Sequence, residues 1–154
     1  NTPILLVTEE GQEKETTLRL ARVGYENVIG DLNGGFDAWR KSGKEVEKVI
    51  NSCPVDFKAN RSDKLILDVR TEEEYANGHI ENAKNVPLAQ LTAQLPELNK
   101  SSTYYIYCKS GYRSMIAVSL LKRAGFNHLI NVKKGYEGIT NPKRTCCCSK
   151  ITSS

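Results

Sequence analysis

Apolar residues come in short bursts, and the polar stretches between them repeat with a helical period. Leu65-Ile66-Leu67-Asp68-Val69 is a nearly continuous apolar run, the pattern of a strand buried on both faces. Thr71 and Glu74 follow with T-x-x-E spacing, a capping box that predicts a short helix. Leu88, Leu91, Leu95 and Leu98 stand three, four and three apart, predicting a helical stripe from Leu88 until Pro96 breaks or kinks it. Tyr104 to Tyr107 predicts a second strand. Ile116, Ala117, Leu120, Leu121 and Ala124 place an amphipathic helix over about residues 113–124, and Leu129 to Val132 predicts a third strand. Strands alternating with helices predict an α/β fold with a parallel sheet covered on both faces.

The pattern occurs twice, offset by about one hundred residues. Ile4-Leu5-Leu6-Val7 before Thr8-Glu9-Glu10-Gly11 matches Tyr104-Tyr105-Ile106-Tyr107 before Cys108-Lys109-Ser110-Gly111. Each run leads into a helical stretch that ends at a glycine and an aromatic, Gly24-Tyr25 and Gly125-Phe126, the usual helix stop. Short apolar runs follow at Val28-Ile29 and Leu129-Ile130, then Gly35-Phe36 and Gly135-Tyr136. Nothing in the first copy corresponds to residues 60–100. Residues 1–43 are therefore expected to be the carboxyl-terminal half of a domain and 44–52 a linker. Residues 53–141 are expected to be a complete domain, and 142–154 a flexible tail containing Cys146, Cys147 and Cys148.

At 154 residues and 39% hydrophobic content, the chain can bury a core without disulfide staples. It has no apolar run near the ~18 residues of a membrane span. Net charge is +4, divided as −2 over residues 1–50 and +6 over the remainder. The basic residues are scattered, which argues against nucleic-acid binding. Five cysteines, an odd number, and the absence of a basic-then-apolar leader at Asn1 fit a reducing compartment, so a cytoplasmic location is expected. The adjacent tail cysteines lack the C-x-x-C spacing of a zinc site, so no metal is expected. Cys53, where the linker ends, is expected to be incidental, and His79 to play a structural hydrogen-bonding role.

Ligands of parallel α/β sheets lie beyond the carboxyl ends of the strands. Asp68 ends one strand there, and Cys108 ends another, just before Lys109-Ser110-Gly111-Tyr112-Arg113. Gly111 permits the positive φ with which a strand-to-helix loop can turn successive N–H groups inward. The helix amino terminus, Lys109 and Arg113 would add positive charge around the sulfur. The loop is thus expected to supply a nucleophile and an anion cradle together.

These residues resemble the rhodanese-like sulfurtransferases. The resemblance runs from about Asp63 to Ile139 and rests on Asp68-Val69-Arg70, Glu74-Tyr75, Gly78-His79-Ile80, Ala83, Asn85-Val86-Pro87 and the loop Cys108 to Ser114. It implies a doubly wound, mainly parallel sheet of about five strands, with the first fifty residues as a partial second copy. It implies that Cys108 takes up a sulfane sulfur as a persulfide and passes it to a thiol or cyanide, without a cofactor. Lys109, Ser110, Gly111, Tyr112 and Arg113 would cradle that sulfur, with Asp68 and Arg70 beside or beneath it. A small-molecule donor such as thiosulfate or a low-molecular-weight persulfide is implied.

The first copy has Thr8 in place of Cys108, with Glu9, Glu10 and Glu13 nearby, so it is expected to be inactive. A degenerate copy before an intact one resembles the carboxyl-terminal part of bacterial fusions that begin with a metallo-β-lactamase-fold domain. Such an upstream partner is expected, as is self-association through residues 1–50. Two alternatives stand beside sulfur transfer. One is a cysteine-dependent phosphatase or arsenate reductase on the same fold, against which the C-x4-R spacing from Cys108 to Arg113 argues. The other is a non-catalytic regulatory module.

Overall fold

The computed structural model describes residues 2–141, which divide into two compact units at Lys48/Val49. The tail cysteines Cys146, Cys147 and Cys148 lie outside the described residues.

The first unit runs β1 (Ile4–Leu6), α1 (Glu13–Ala21), β2 (Val28–Asp31) and α2 (Gly35–Lys41), with β1 and β2 parallel. Gly24, at φ +88°, follows α1 in the left-handed conformation that stops helices. Much of the unit's apolar surface is exposed, including Leu5, Val7, Leu18, Ile29 and Phe36. Trp39, also exposed, donates its indole N–H to the Glu45 carbonyl at 3.0 Å.

The second unit contains β3 (Ile50–Ser52), α3 (Pro54–Asn60), β4 (Leu65–Asp68), α4 (Glu72–Ala76), β5 (Ala83–Asn85) and α5 (Leu91–Gln94). A 3-10 turn (Leu95–Glu97), β6 (Tyr104–Tyr107), α6 (Tyr112–Arg123), β7 (Leu129–Val132) and α7 (Gly135–Thr140) complete it. The five strands stand in the order β3-β7-β6-β4-β5, every pair parallel. This is the α/β architecture expected, with β6 in the centre.

Period-two alternation distributes the central strands between two cores. Leu67 and Val69 of the β4 segment, and Tyr104, Ile106 and Cys108 of the β6 segment, join Ala117, Val118 and Leu121 of α6 on one face. Ile66, Tyr105 and Tyr107 join Phe57 and Ile139 on the other. Phe57 meets Tyr105 edge to face at 5.1 Å, a favoured aromatic geometry.

Three local readings differ from the sequence pattern. Residues 50–52, placed in the linker, form the edge strand β3. Its backbone ladder to β7 needs no apolar period, and Ile50 remains exposed. Cys53 is buried, and its Sγ caps α3 by accepting the Asp56 N–H at 3.4 Å. The helix expected from Leu88 is only the short α5, because a turn from Pro87 and Leu88 precedes it and Pro96 tightens its end into the 3-10 turn.

Candidate active site

Cys108 stands at the carboxyl end of the central strand, the place where parallel sheets present ligands. Its residue surface is only 1% exposed and belongs to the core facing α6. The alternation that turns Ile106 toward α6 turns Cys108 the same way, so the thiol lies under the loop rather than on it. Gly111, at φ +102°, caps α6 in the left-handed region and donates its N–H to Cys108 Sγ at 3.2 Å. The thiol in turn reaches Ser114 Oγ at 3.6 Å, and that hydroxyl donates to the Gly111 carbonyl at 3.0 Å. A backbone donor aimed at the sulfur would suit the negative charge of a thiolate there.

The other cradle residues divide. Lys109, Ser110 and Tyr112 are exposed, Tyr112 at 80%. Arg113 faces elsewhere than the sequence suggested: its guanidinium grips Glu74 in a bidentate pair at 2.6 and 2.8 Å. Those bonds hold the Glu74 carboxyl down at about 2, aided by the Thr71 capping bonds. They also raise the Arg113 pKa, to which the nearby Cys108 and Asp68 add. Arg113 is therefore close enough to act on the site electrostatically while Glu74 neutralises much of its charge.

Asp68 and Arg70 form a buried pair, joined from Arg70 Nε to both carboxylate oxygens at 2.9 and 3.0 Å and from Nη2 at 2.5 Å. Burial works against the Arg70 charge, but hydrogen bonds to Asp68 and its field outweigh it, so the Arg70 pKa is raised. The guanidinium lies 4.1 Å from the Tyr136 ring centre and donates to the Gly78 carbonyl at 2.8 Å. Burial, then the Asp68 carboxylate, pushes the Tyr107 phenol up, and its oxygen accepts the Ile80 N–H at 3.2 Å. The Tyr136 N–H donates to the Cys108 carbonyl at 2.7 Å. The pair thus lies behind the backbone that carries Cys108 and reaches it through Tyr136. His79 stacks on Tyr75 at 3.9 Å, and its Nδ1 lies 3.1 Å from the Tyr75 carbonyl.

Sequence reasoning left out Glu74 and Tyr136 as site residues. Glu74 was already accounted for by its capping box, and Tyr136 looked only like the aromatic that closes each repeat. Ser114 was visible as the end of the loop motif, but nothing in the spacing showed its hydroxyl turned back to the sulfur.

Comparisons with known proteins give the family. Residues 53–142 match the family model described as a rhodanese-like domain. The chain is 43% identical over 137 residues to "Putative sulfur carrier protein YrkF" of Bacillus subtilis (strain 168), covering 83% of this chain and 74% of that protein. It is 34% identical over 77 residues to a protein of Allochromatium vinosum named sulfurtransferase, covering 50% and 72%. The crystal structure of a rhodanese-like domain protein from Staphylococcus aureus superposes with a TM-score of 0.55 at 34% identity, over 60% of this chain and 91% of that one. With a central-strand cysteine under a left-handed glycine loop, and a family match over more than half its length, this chain belongs to the rhodanese-like domain family.

Proposed function

We propose that the second unit is a sulfurtransferase that carries a sulfane sulfur on Cys108. The observation that carries this reading is the Gly111 N–H aimed at Cys108 Sγ from the loop that opens α6. In the donor step the Cys108 thiolate attacks the outer sulfur of thiosulfate or of a low-molecular-weight persulfide. A bond forms from Sγ to that sulfur, and the sulfur's former bond breaks with its electron pair leaving on sulfite or on the thiolate. In the acceptor step a thiolate or cyanide attacks the terminal sulfur and Cys108 leaves as thiolate. Lys109, Ser110, Gly111 and Tyr112 surround this chemistry. Arg113 acts from its pair with Glu74, and Asp68 and Arg70 hold the strand ends beneath. The names of the relatives, sulfur carrier and sulfurtransferase, support the same class. The test is mass spectrometry after exposure to thiosulfate: one added sulfur atom on Cys108, removed by cyanide as thiocyanate, is expected.

Residues 1–43 read as the back half of a second, inactive copy preceding the domain at 53–141. In support, β1-α1-β2-α2 repeats the order of β6-α6-β7-α7 with the same parallel pairing. Gly11 N–H, the counterpart of Gly111 N–H, is taken by the Glu13 carboxylate at 3.0 Å instead of a sulfur. An upstream metallo-β-lactamase-fold domain, self-association through residues 1–50 and a cytoplasmic location complete the proposal. Among the described residues, no helix is long and apolar enough to cross a membrane.

A further inference from the structure

Lys134 caps α7 at φ +59° and ψ +1°, in the left-handed region. Apart from glycines, Asn82 shares a positive φ with it among the described residues; asparagine enters that region readily, whereas lysine does so at a cost. The turn before α2 holds Gly34 in the corresponding place at φ +73°, so such a turn can be built with glycine. A residue held in an unfavourable conformation where glycine would serve points to a use for its side chain.

The helix that follows makes room for that side chain. A β-carbon on Gly138 would stand 2.7 Å from Lys134 Cβ, closer than two such carbons approach, and 3.0 Å from Pro54 Cγ. In the first unit a β-carbon on Gly34 would stand 2.9 Å from Ala38 Cβ. Each turn and its helix thus have space for one β-carbon, which the first unit places on the helix and the second on the turn. Glycine inside a helix is also less favourable than alanine. The second unit therefore accepts two costs, a left-handed lysine and a glycine within α7, that the first avoids with Gly34 and Ala38.

The lysine so placed borders the Cys108 loop. A β-carbon on Gly111 would lie 3.3 Å from the Lys134 backbone nitrogen, so the two backbones meet where Gly111 donates to Cys108 Sγ. Lys134 and Ser110 together line two hollows at the loop, one shared with Gly111 and Tyr112, the other with Glu137 and Gly138. Lys134 is exposed, and its ammonium has no ion-pair partner among the described residues. Arg113, by contrast, is held in its bidentate pair with Glu74.

We propose that Lys134 is the cation that receives the sulfonate oxygens of a thiosulfate donor and of the sulfite that leaves. The proposal rests on the sulfur-transfer reading and deepens it by assigning the donor's anionic end. As the Cys108 thiolate bonds to the outer sulfur, the bond between the donor's two sulfurs breaks and its electron pair departs on sulfite. Negative charge gathers on the leaving sulfite, where a fixed cation lowers the barrier. The ammonium keeps its proton throughout, and no outside oxidant or reductant enters. When cyanide then attacks the terminal sulfur of the Cys108 persulfide, no sulfonate is present and Lys134 has no part.

The test separates the two half-reactions on the full chain. Lys134→Gly installs the residue that the turn before α2 uses, so its unfolding midpoint is expected to equal or exceed the native one. Its kcat/KM for thiosulfate is expected to fall at least tenfold, while discharge of preformed Cys108 persulfide by cyanide changes less than twofold. Lys134→Arg, which keeps the charge on the same backbone, is expected to retain at least a third of native kcat/KM. Lys133→Ala, which removes one charge next door, should change it less than twofold. Native kinetics in Lys134→Gly, an equal loss in Lys133→Ala, or no rescue by arginine overturns the proposal. So does a lowered midpoint with both half-reactions slowed alike, the mark of a structural role. Binding is read separately in Cys108→Ser, which cannot take up sulfur: thiosulfate is expected to shift the Gly111 amide resonance, with Kd raised at least fivefold when Lys134→Gly is added. That difference in a protein whose native form makes no persulfide would defeat the sulfur-transfer reading and leave Lys134 as the anion's partner. Persulfide formation without that difference would defeat the Lys134 assignment alone.

Discussion

Gly135 lies so close to the carbonyl of Cys108 that a β-carbon on it would overlap the carbonyl oxygen, and the next N–H, that of Tyr136, closes on the same oxygen at 2.7 Å. Gly35 stands in the same relation to the Thr8 carbonyl in the first unit. In both units the turn into the last helix is thus built against the end of the first strand of the repeated pair. The two glycines therefore stand in the same backbone relation to Thr8 and to Cys108.

Gly135→Ala is expected to displace the Cys108 backbone. Alanine tolerates the φ of +51° at modest cost, but the approach to a backbone carbonyl leaves no room for a methyl group. A loss of about 2 kcal/mol or more in denaturant unfolding is expected, with sulfur transfer reduced more than tenfold. Unfolding of the native type with full thiocyanate formation would contradict the close packing.

Much of this was legible in the chain. The alternation of Leu65 to Val69 and Tyr104 to Tyr107 with helical stripes gave a parallel α/β sheet, because both periods come directly from burial. The capping box at Thr71 formed as expected, with both reciprocal bonds present. The edge strands were not legible: Ile50-Asn51-Ser52 and Ala83-Lys84-Asn85 are held by ladder hydrogen bonds to β7 and β4, which leave no hydrophobic signature. At the candidate site, the place of Cys108 at the end of its strand and the left-handed turn at Gly111 could be read from residue type and position. The direction of Arg113 could not, because Glu74 lies thirty-nine positions away and meets it only in the folded sheet.

Cys108→Ser is expected to retain the fold and lose sulfur transfer. The hydroxyl fills nearly the same space beneath Gly111 and can accept the same N–H, but it cannot carry a persulfide. Thiocyanate formation should fall to background while the unfolding midpoint shifts little. Undiminished turnover would remove Cys108 from the mechanism.

Asp68→Asn is expected to destabilise the protein by about 3 to 5 kcal/mol, because the Arg70 guanidinium would remain buried without its counter-charge. Arg70→Lys should be milder yet not neutral, since an ammonium cannot make the two-pronged contact to Asp68 while also lying over the Tyr136 ring. Urea unfolding of the two variants checks the order; equal stabilities would show that the pair is not holding the strand ends.

The Glu74–Arg113 pair sets a pH dependence. Glu74 falls from an ordinary 4.5 to about 2 in the folded protein, so its contribution is complete above about 4.5 and is lost as pH drops from there through about 2. Both side chains are about one-third exposed, so screening reduces the effect to about 1 to 2 kcal/mol. Glu74→Gln should flatten the acid limb of stability against pH between 4.5 and 2. It should also free Arg113 toward the loop, changing KM for thiosulfate. An unchanged acid limb would show that the pair contributes no stability.

Sulfur chemistry rather than phosphoryl chemistry is expected from the length of the loop and from where its arginine points. Four residues separate Cys108 from Arg113, giving C-x4-R, whereas cysteine phosphatases, including those that share this fold, use C-x5-R. The extra residue widens the ring of N–H donors to take a tetrahedral phosphoryl group with three equatorial oxygens. Here the Gly111 N–H already closes on Sγ at 3.2 Å. A phosphatase arginine must also embrace those oxygens, and Arg113 is held in its bidentate pair with Glu74. The unmodified protein is therefore expected to transfer sulfur from thiosulfate and to leave aryl phosphates intact. Inserting one residue between Ser110 and Arg113 would shift Gly111 off the sulfur or break the Glu74 pair, and sulfur transfer should drop at least tenfold in a paired assay. Robust aryl phosphate hydrolysis by the unmodified loop, with no persulfide on Cys108, would reverse the assignment.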